Sequence, residues 1–273
     1  MMRLLMENET EIKKFYTGYH DTIIEKRLRS PYPLRRYAHR KQYEGILKFV
    51  KPGMKVLDAG CGEGVLSVMM AQKGAQVTGI DLSEPNIERC RTYAQENNLT
   101  INFIQGDLEK LPFADNSFDL VVSSHVLEHL PDFDKGLCEL MRVTKKRAVA
   151  AIPTLLNPCS TVQVGRGWFY LKGPRSFAGF FWGLAKTLWA LVSGAEGVNE
   201  TYGSQGAPHI FRFPWIMKRK VQQNGYQLVS YEAASLCLPY FHSLLPIVVF
   251  LDRYKSKIIL RNFGYGTTYV IEK

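Results

Sequence analysis

The stretch Val56-Leu57-Asp58-Ala59-Gly60-Cys61-Gly62-Glu63-Gly64, VLDAGCGEG, is an apolar run that ends in an acid and breaks into three glycines at alternate positions. A buried-type strand running into such a cluster, with a helical pattern behind it, puts a tight backbone turn at a helix start. There unpaired N–H groups face a ligand and no Cβ holds it off. The dinucleotide fingerprint spaces its glycines G-x-G-x-x-G, whereas Gly60, Gly62 and Gly64 are spaced G-x-G-x-G with Asp58 two residues ahead, which argues against a pyrophosphate ligand.

Outward from this loop, strands alternate with helices. KVLDA, QVTGID, INFIQGD, FDLVVSS and RAVAAIP read as strands, and GVLSVMMAQKG, PNIERCRTYAQENN and FDKGLCELMRV as helices. That alternation implies a parallel sheet with right-handed crossovers. It stops after Pro153 for about sixty residues and resumes with a helix over FPWIMKRKVQQNGY and strands over QLVSYEAAS and GTTYVIEK. Residues 1–50 read as charged and helical, an N-terminal lid. Residues 51–273 read as one α/β domain with apolar insertions at 154–212 and 236–262.

The 273-residue length is ample for one full core. Thirty-five Lys and Arg against 25 Asp and Glu give +10, which suits an anionic partner such as phospholipid headgroups or RNA, or a plain cationic surface. Five cysteines with no C-x-x-C pair, and an N-terminal stretch without a secretory pattern, fit a reduced, cytoplasmic protein, with the inner membrane face a second location.

Several motifs in order resemble class I S-adenosylmethionine-dependent methyltransferases: Asp58 with G-x-G-x-G, Asp81 ending the second strand 21 residues after Gly60, QGDLEKLPF after the third, and LPFADNSFDLVVSSHVLEHL around the fourth. The resemblance spans roughly residues 55–153. It implies a Rossmann-like, doubly wound, seven-stranded mostly parallel sheet whose last strand is antiparallel. It also implies S-adenosyl-L-methionine as cofactor, held by Asp58, Gly60, Cys61, Gly62, Gly64, Asp81, Leu82, Asp107, Leu108 and Ser123, with Arg40 as a partner for the cofactor carboxylate. Within that set, Asp81 suits ribose hydroxyls, and the family's counterpart of Asp107 meets the adenine amino group. The amino-group enzymes' Asn/Asp-Pro-Pro-aromatic sequence is replaced here by SSHV, which favours an oxygen or carbon acceptor.

HVLEH, residues 125–129, also matches the H-x-x-E-H pattern of inverted zinc peptidases. A zinc helix would need His125 and His129 on one uninterrupted helical face, yet Pro131 follows closely and a strand precedes. In the methyltransferase reading the same residues form the lip of the pocket. His129 is then the first candidate base, His125 the second, and Glu128 faces the acceptor. The segment is similar to that of quinone-biosynthesis O-methyltransferases, some of which hold a divalent cation nearby. No further ligand is assignable here, so no metal is expected.

SFAGFFWGLAKTLWALVSG, residues 176–194, and LCLPYFHSLLPIVVFLDRYKSK, residues 236–257, are apolar with basic flanks, in keeping with a greasy acceptor, peripheral membrane association, or a packed cap. His209 and Arg212 lie between them as candidate substrate-binding residues. The expectation is methyl transfer to a hydroxyl, or a carbon, of a hydrophobic or lipid-linked small molecule, with no nucleic acid favoured. The alternatives are an RNA methyltransferase, which lacks an evident aromatic-basic RNA module, and a non-catalytic cofactor-binding scaffold.

Overall fold

The computed structural model describes residues 2–18, 23–200 and 209–273. Three helices lead in: α1 (Met2–Thr17), α2 (Ile23–Leu28) and α3 (Pro33–Leu47). Then come β1 (Lys55–Ala59), α4 (Val65–Gln72), β2 (Gln76–Asp81), α5 (Glu84–Glu96), β3 (Asn102–Gln105), β4 (Phe118–Ser124), α6 (Phe133–Val143) and β5 (Thr144–Ile152). The first insertion holds α7 (Pro158–Val164), α8 (Pro174–Ser193) and the strand pair β6 (Gly197–Asn199) and β7 (Ile210–Arg212). The chain closes with α9 (Pro214–Gln223), β8 (Gln227–Ala233), α10 (Leu245–Leu251) and β9 (Thr267–Glu272).

Seven strands form one sheet in the order β3-β2-β1-β4-β5-β9-β8. Its first four pairings are parallel, and β9 runs antiparallel to both neighbours. β1 is buried from Val56 onward because helices cover both faces, which is why it reads as an unbroken apolar run. Alternate side chains part to the two sides. Leu57, Ile80, Val121 and Ala148 join α6 and α9 through Leu137, Met141, Met217 and Val221. Val56, Val77, Leu120 and Val149 join α3 and α4 through Tyr43, Ile46, Leu66 and Met70.

Helix starts follow local chemistry. Ser83 accepts the Asn86 N–H at 3.2 Å ahead of α5, and Asp132 accepts the Lys135 N–H at 3.0 Å ahead of α6. The third strand is shorter than its apolar run suggests, ending at Gln105. Gly106 turns the chain by donating to the Asp81 carbonyl at 2.9 Å, and Asp107 closes a turn onto the Glu109 N–H at 2.8 Å. The fifth strand begins earlier than expected, at Thr144.

Chain order reverses between β1 and β4, whose central residues pair from Val56↔Leu120 to Asp58↔Val122. The crevice beyond the carboxyl ends of these two strands is where open α/β sheets bind ligands. The glycine loop and the HVLEH segment both emerge there.

Candidate active site

The cavity at this crevice has a volume of about 260 Å³. Gly60, Gly62, Asp81, Leu82, Asp107 and Leu108 form one wall; His125, Glu128, His129 and His209 form another. The glycine loop is held by N–H bonds from Gly60 and Cys61 to the Ile80 carbonyl, at 2.8 and 3.0 Å. Gly60 has φ +82°, and a Cβ there would lie 2.3 Å from a methyl carbon of Val126. No L side chain fits that position without moving the lip. Gly62, φ +52°, has open space where its Cβ would be, so the cavity approaches its bare backbone.

The second-strand carboxylate is preset. Asp81 accepts the Gly62 N–H at 2.8 Å, the Ser83 N–H at 3.0 Å and the Asn86 amide at 3.4 Å. Burial nonetheless raises its carboxyl above the ordinary value, against the pull of those N–H groups. On the third strand's side Lys13, from α1, bridges Asp107 at 2.8 Å and the buried Glu109 at 2.7 Å. Ile12, Lys13 and Tyr16 thereby bring α1 over the cavity.

The lip is not an α-helix. His125 has φ +58°, its N–H donates to the Ala151 carbonyl at 2.8 Å, and only Leu127–His129 make a single 3₁₀ turn. His125 and His129 therefore do not share a helical face, and the zinc-peptidase match fails on backbone conformation. Glu128, 1 % exposed, sits among imidazoles: His125 Nδ1 is 3.2 Å from Oε1 and His209 Nε2 is 3.9 Å from the same oxygen. The His129 ring packs between Tyr16, at 5.6 Å, and His209, at 4.6 Å, and His209 stacks on Phe211 at 4.5 Å. Burial, reinforced by His129 and His125, holds His209 well below the usual imidazole range, so its ring stays neutral.

Ligating atoms of Glu128, His129 and His209 all lie within 4.8 Å of one another, a set able to hold a divalent cation. The sequence supplies no such trio, because its third member arrives from β7's edge, 80 residues downstream of His129.

Other expected site residues fall outside the cavity wall. Asp58 is buried behind the glycine loop, taking the Ser67 hydroxyl at 2.6 Å. Cys61 and Gly64 pack on Cys90 beneath it, with Cys61 Sγ 3.8 Å from Cys90 Sγ and Gly64 heading α4. Ser123 is buried within β4, and its neighbour Ser124 lines the cavity instead. Arg40 is exposed on α3 and does not line the cavity, and the arginine on the wall is Arg27 of α2. The resemblance favoured Arg40; the turn through Ser30 and Pro31 between α2 and α3 brings Arg27 inward. Arg212 is buried 4.4 Å over the Phe133 ring, off the cavity, where burial lowers its affinity for a proton. The three residues before His209 in GAPHIFRF lie outside the described residues.

Three wall atoms are polar, buried and without a hydrogen-bond partner among the described residues: Gln42 Nε2, His125 Nε2 and Glu128 Oε2. Buried polar groups of this kind mark a place made for a polar ligand.

Residues 57–152 match the family model described as "Methyltransferase domain". A ubiquinone biosynthesis O-methyltransferase of Rickettsia akari is 36% identical over 102 residues, 37% of this chain and 40% of that protein. A sterol 24-C-methyltransferase of Gibberella zeae is 39% identical over 106 residues, 38% of this chain and 28% of that protein. The chain thus spans less than half the length of these two curated relatives. Among solved structures, magnesium protoporphyrin IX methyltransferase of Synechocystis PCC 6803 with bound SAM superposes with TM-score 0.57 at 16% identity, covering 97% of each chain. That likeness establishes the seven-stranded methyltransferase fold.

Proposed function

We propose that this chain, whose residues 57–152 are a methyltransferase domain of the class I fold, transfers a methyl group from S-adenosylmethionine to a hydroxyl, or less readily a carbon, of a hydrophobic or lipid-linked small molecule. The observation that carries the reading is one cavity with two unlike walls: a carboxylate-and-glycine wall built by Gly60, Gly62, Asp81 and Asp107, and an imidazole-carboxylate wall built by His125, Glu128, His129 and His209.

The first wall suits the cofactor group by group. Asp81, oriented by three donors, offers carboxylate oxygens to ribose hydroxyls, and Asp107 an acceptor to the adenine amine. Leu82 and Leu108 supply apolar contact for the base, while Arg27 and the Gln42 amide offer donors to the cofactor carboxylate. When bound, S-adenosylmethionine supplies a methyl carbon activated by a sulfonium.

The second wall handles the acceptor. His129 accepts the acceptor's hydroxyl proton, since an alcohol needs a base as its oxygen attacks carbon. The rings of Tyr16 and His209 fix the His129 ring, and Glu128 anchors the lip by holding His125. The neutral His209 adds no positive charge beside the sulfonium end.

Incubation of the full chain with cofactor labelled in its methyl group and a cell extract, fractionated into lipid, RNA and polar pools, tests the proposal. Label is expected in the lipid pool. Label in RNA would replace the acceptor class, and failure to bind S-adenosylhomocysteine in calorimetry would remove the enzyme reading altogether.

A further inference from the structure

Helix α8 is built inside out. Its buried stripe is Ser176, Gly179, Gly183, Thr187 and Ala190, small residues at three- and four-residue spacing. The backbone comes so close to its neighbours that a Cβ on Gly183 would sit 1.8 Å from the Thr161 carbonyl oxygen and one on Gly179 2.9 Å from the Gly167 backbone. The opposite stripe is large and apolar: Phe177, Phe181, Trp182, Leu188, Trp189 and Val192 are all exposed, Trp189 at 73 % and Val192 at 85 %. A helix at a water surface buries its large apolar side chains and shows its polar ones; α8 does the reverse.

The central cation does not interrupt this face. Lys186 turns toward the protein, where its ammonium pairs with the buried Glu200 and donates to the Val164 carbonyl at 3.3 Å. The face continues onto the second insertion. The Phe177 ring lies 4.9 Å from Tyr240, and the Lys172 ammonium sits 5.6 Å over Phe241. Beyond them Phe241, Ile247 and Phe250 are exposed as well.

Charge identifies the occupant. Lys172 and Arg175 are exposed at the head of α8, and Arg253 and Lys257 after α10. Residues 168–195 contain no Asp or Glu, and the single acid in 236–263, Asp252, is buried against the Tyr37 hydroxyl at 2.9 Å. Aromatic and aliphatic side chains flanked by cations that pair with no acid among the described residues match an anionic lipid surface: rings sink to the headgroup level and ammonium groups meet phosphates. A second copy of the chain on the same face would set these cations against one another across a two-fold axis. No helix among the described residues is long and apolar enough to cross a membrane, so the contact is with the surface layer.

We infer that the outward faces of α8 and of the segment around α10 form a docking surface for an anionic phospholipid membrane. The cavity lies one helix layer behind it: Gln163 of α7 lines the cavity, while Thr161 of the same helix and Gly165 at its C-terminal end carry α8. A lipid-linked acceptor then reaches the site without crossing bulk water. The inference stands apart from the methyl-transfer reading, since neither Asp81 nor His129 contributes to the surface.

Co-sedimentation of the full chain with phosphatidylcholine vesicles, with and without 30% phosphatidylglycerol, tests it. Binding is expected to the anionic vesicles, weakened in high salt. It should fall roughly fivefold for each of Lys172→Gln and Arg175→Gln, at about the worth of one surface cation. The double variant Trp189→Glu/Val192→Glu should lose vesicle binding while keeping wild-type affinity for S-adenosylhomocysteine, which shows that it still folds. Failure of the folded wild type to sediment with either vesicle, equal binding to neutral ones, or a dimer that Trp189→Glu dissociates would each overturn the inference.

Discussion

Asp58→Asn should make the protein more stable at pH 8 than the native sequence, and less different from it at pH 5. Asp58 is the penultimate residue of β1, in the stretch buried from Val56 onward, and is 1 % exposed. Burial pushes it from an ordinary 3.8 to about 7, the Asp81 charge pushes the same way, and the Ser67 hydroxyl pulls it partly back. The folded chain therefore keeps a proton up to about pH 7 that the unfolded chain loses near pH 4. In that window the native state binds more protons, so stability falls as pH rises. At about 1.36 kcal/mol per pH unit, the two units between pH 5 and about 7 amount to roughly 3 kcal/mol. Asparagine keeps an oxygen for the Ser67 hydroxyl and carries no ionisable proton, so this part of the slope disappears. Urea unfolding of both proteins without ligand, at pH 5, 6, 7 and 8, measures it. The asparagine variant should gain on the native sequence by about 3 kcal/mol from pH 5 to pH 8. Parallel profiles, or a variant that loses ground as pH rises, would refute the assignment of a buried, proton-holding carboxyl behind the glycine loop.

Gly60→Ala should cost about 2–4 kcal/mol in denaturant unfolding, summing left-handed backbone strain and the Val126 clash. Gly62→Arg, whose side chain enters open cavity, should cost only about 1–2 kcal/mol of stability yet abolish S-adenosylhomocysteine binding in calorimetry. Arg27→Ala should weaken that binding by roughly 10- to 100-fold, the loss of a charge-assisted hydrogen bond, while Arg40→Ala leaves it unchanged. The reverse order would restore Arg40, the arginine that the resemblance implies. His129→Ala should lower turnover by roughly 10²–10⁴ with cofactor affinity intact, and unchanged turnover would leave His129 a packing residue. Turnover should survive a strong chelator; loss that Mg²⁺ or Mn²⁺ restores would assign Glu128, His129 and His209 to a cation instead of a proton.

The glycine-and-carboxylate wall was legible because it is local. Each of its groups lies at the end of a strand or within a few residues of one, and strand ends are marked by apolar runs stopping at Gly, Asp or Ser. Period and turn chemistry located the strand ends and the Gly60 loop without any tertiary information, and the motif resemblance singled out Asp81 and Asp107 among the turn residues there. The wall's depth was not legible: sequence cannot say that Asp58 and Cys61 stand behind the loop while Gly60 and Gly62 face the cavity. The lip was half legible: the strand before it and Pro131 after it argued against a continuous helix, but the left-handed His125 at its turn carries no mark in the letters. Arg27, Gln42 and Tyr16 reach the cavity by long-range packing, and nothing in their neighbours along the chain signals it; His209 was marked only by its place between the two apolar insertions.

This division of labour explains why the comparisons agree on chemistry and part on acceptor. The segments matching the ubiquinone-biosynthesis and sterol enzymes cover only 102 and 106 residues of this chain, and those relatives are named for oxygen and carbon methylation respectively. A shared segment cannot decide a difference between its owners. The family match, residues 57–152, contains Asp81, Asp107 and the whole lip from Ser124 to Pro131, so the lip alone does not fix the acceptor. The remaining wall comes from outside that segment: Ile12 and Tyr16 of α1, Arg27 and Gln42 of α2 and α3, Gln163, His209 and Tyr265. Of these, His209 and Tyr16 touch the His129 ring directly. Under the proposed function, acceptor choice falls to the N-terminal helices and the two insertions, the same insertions whose outer faces are apolar and cationic. Exchanging segment 57–152 for a relative's should preserve cofactor binding and acceptor class together, whereas exchanging the insertions should change the acceptor and leave cofactor affinity where it was.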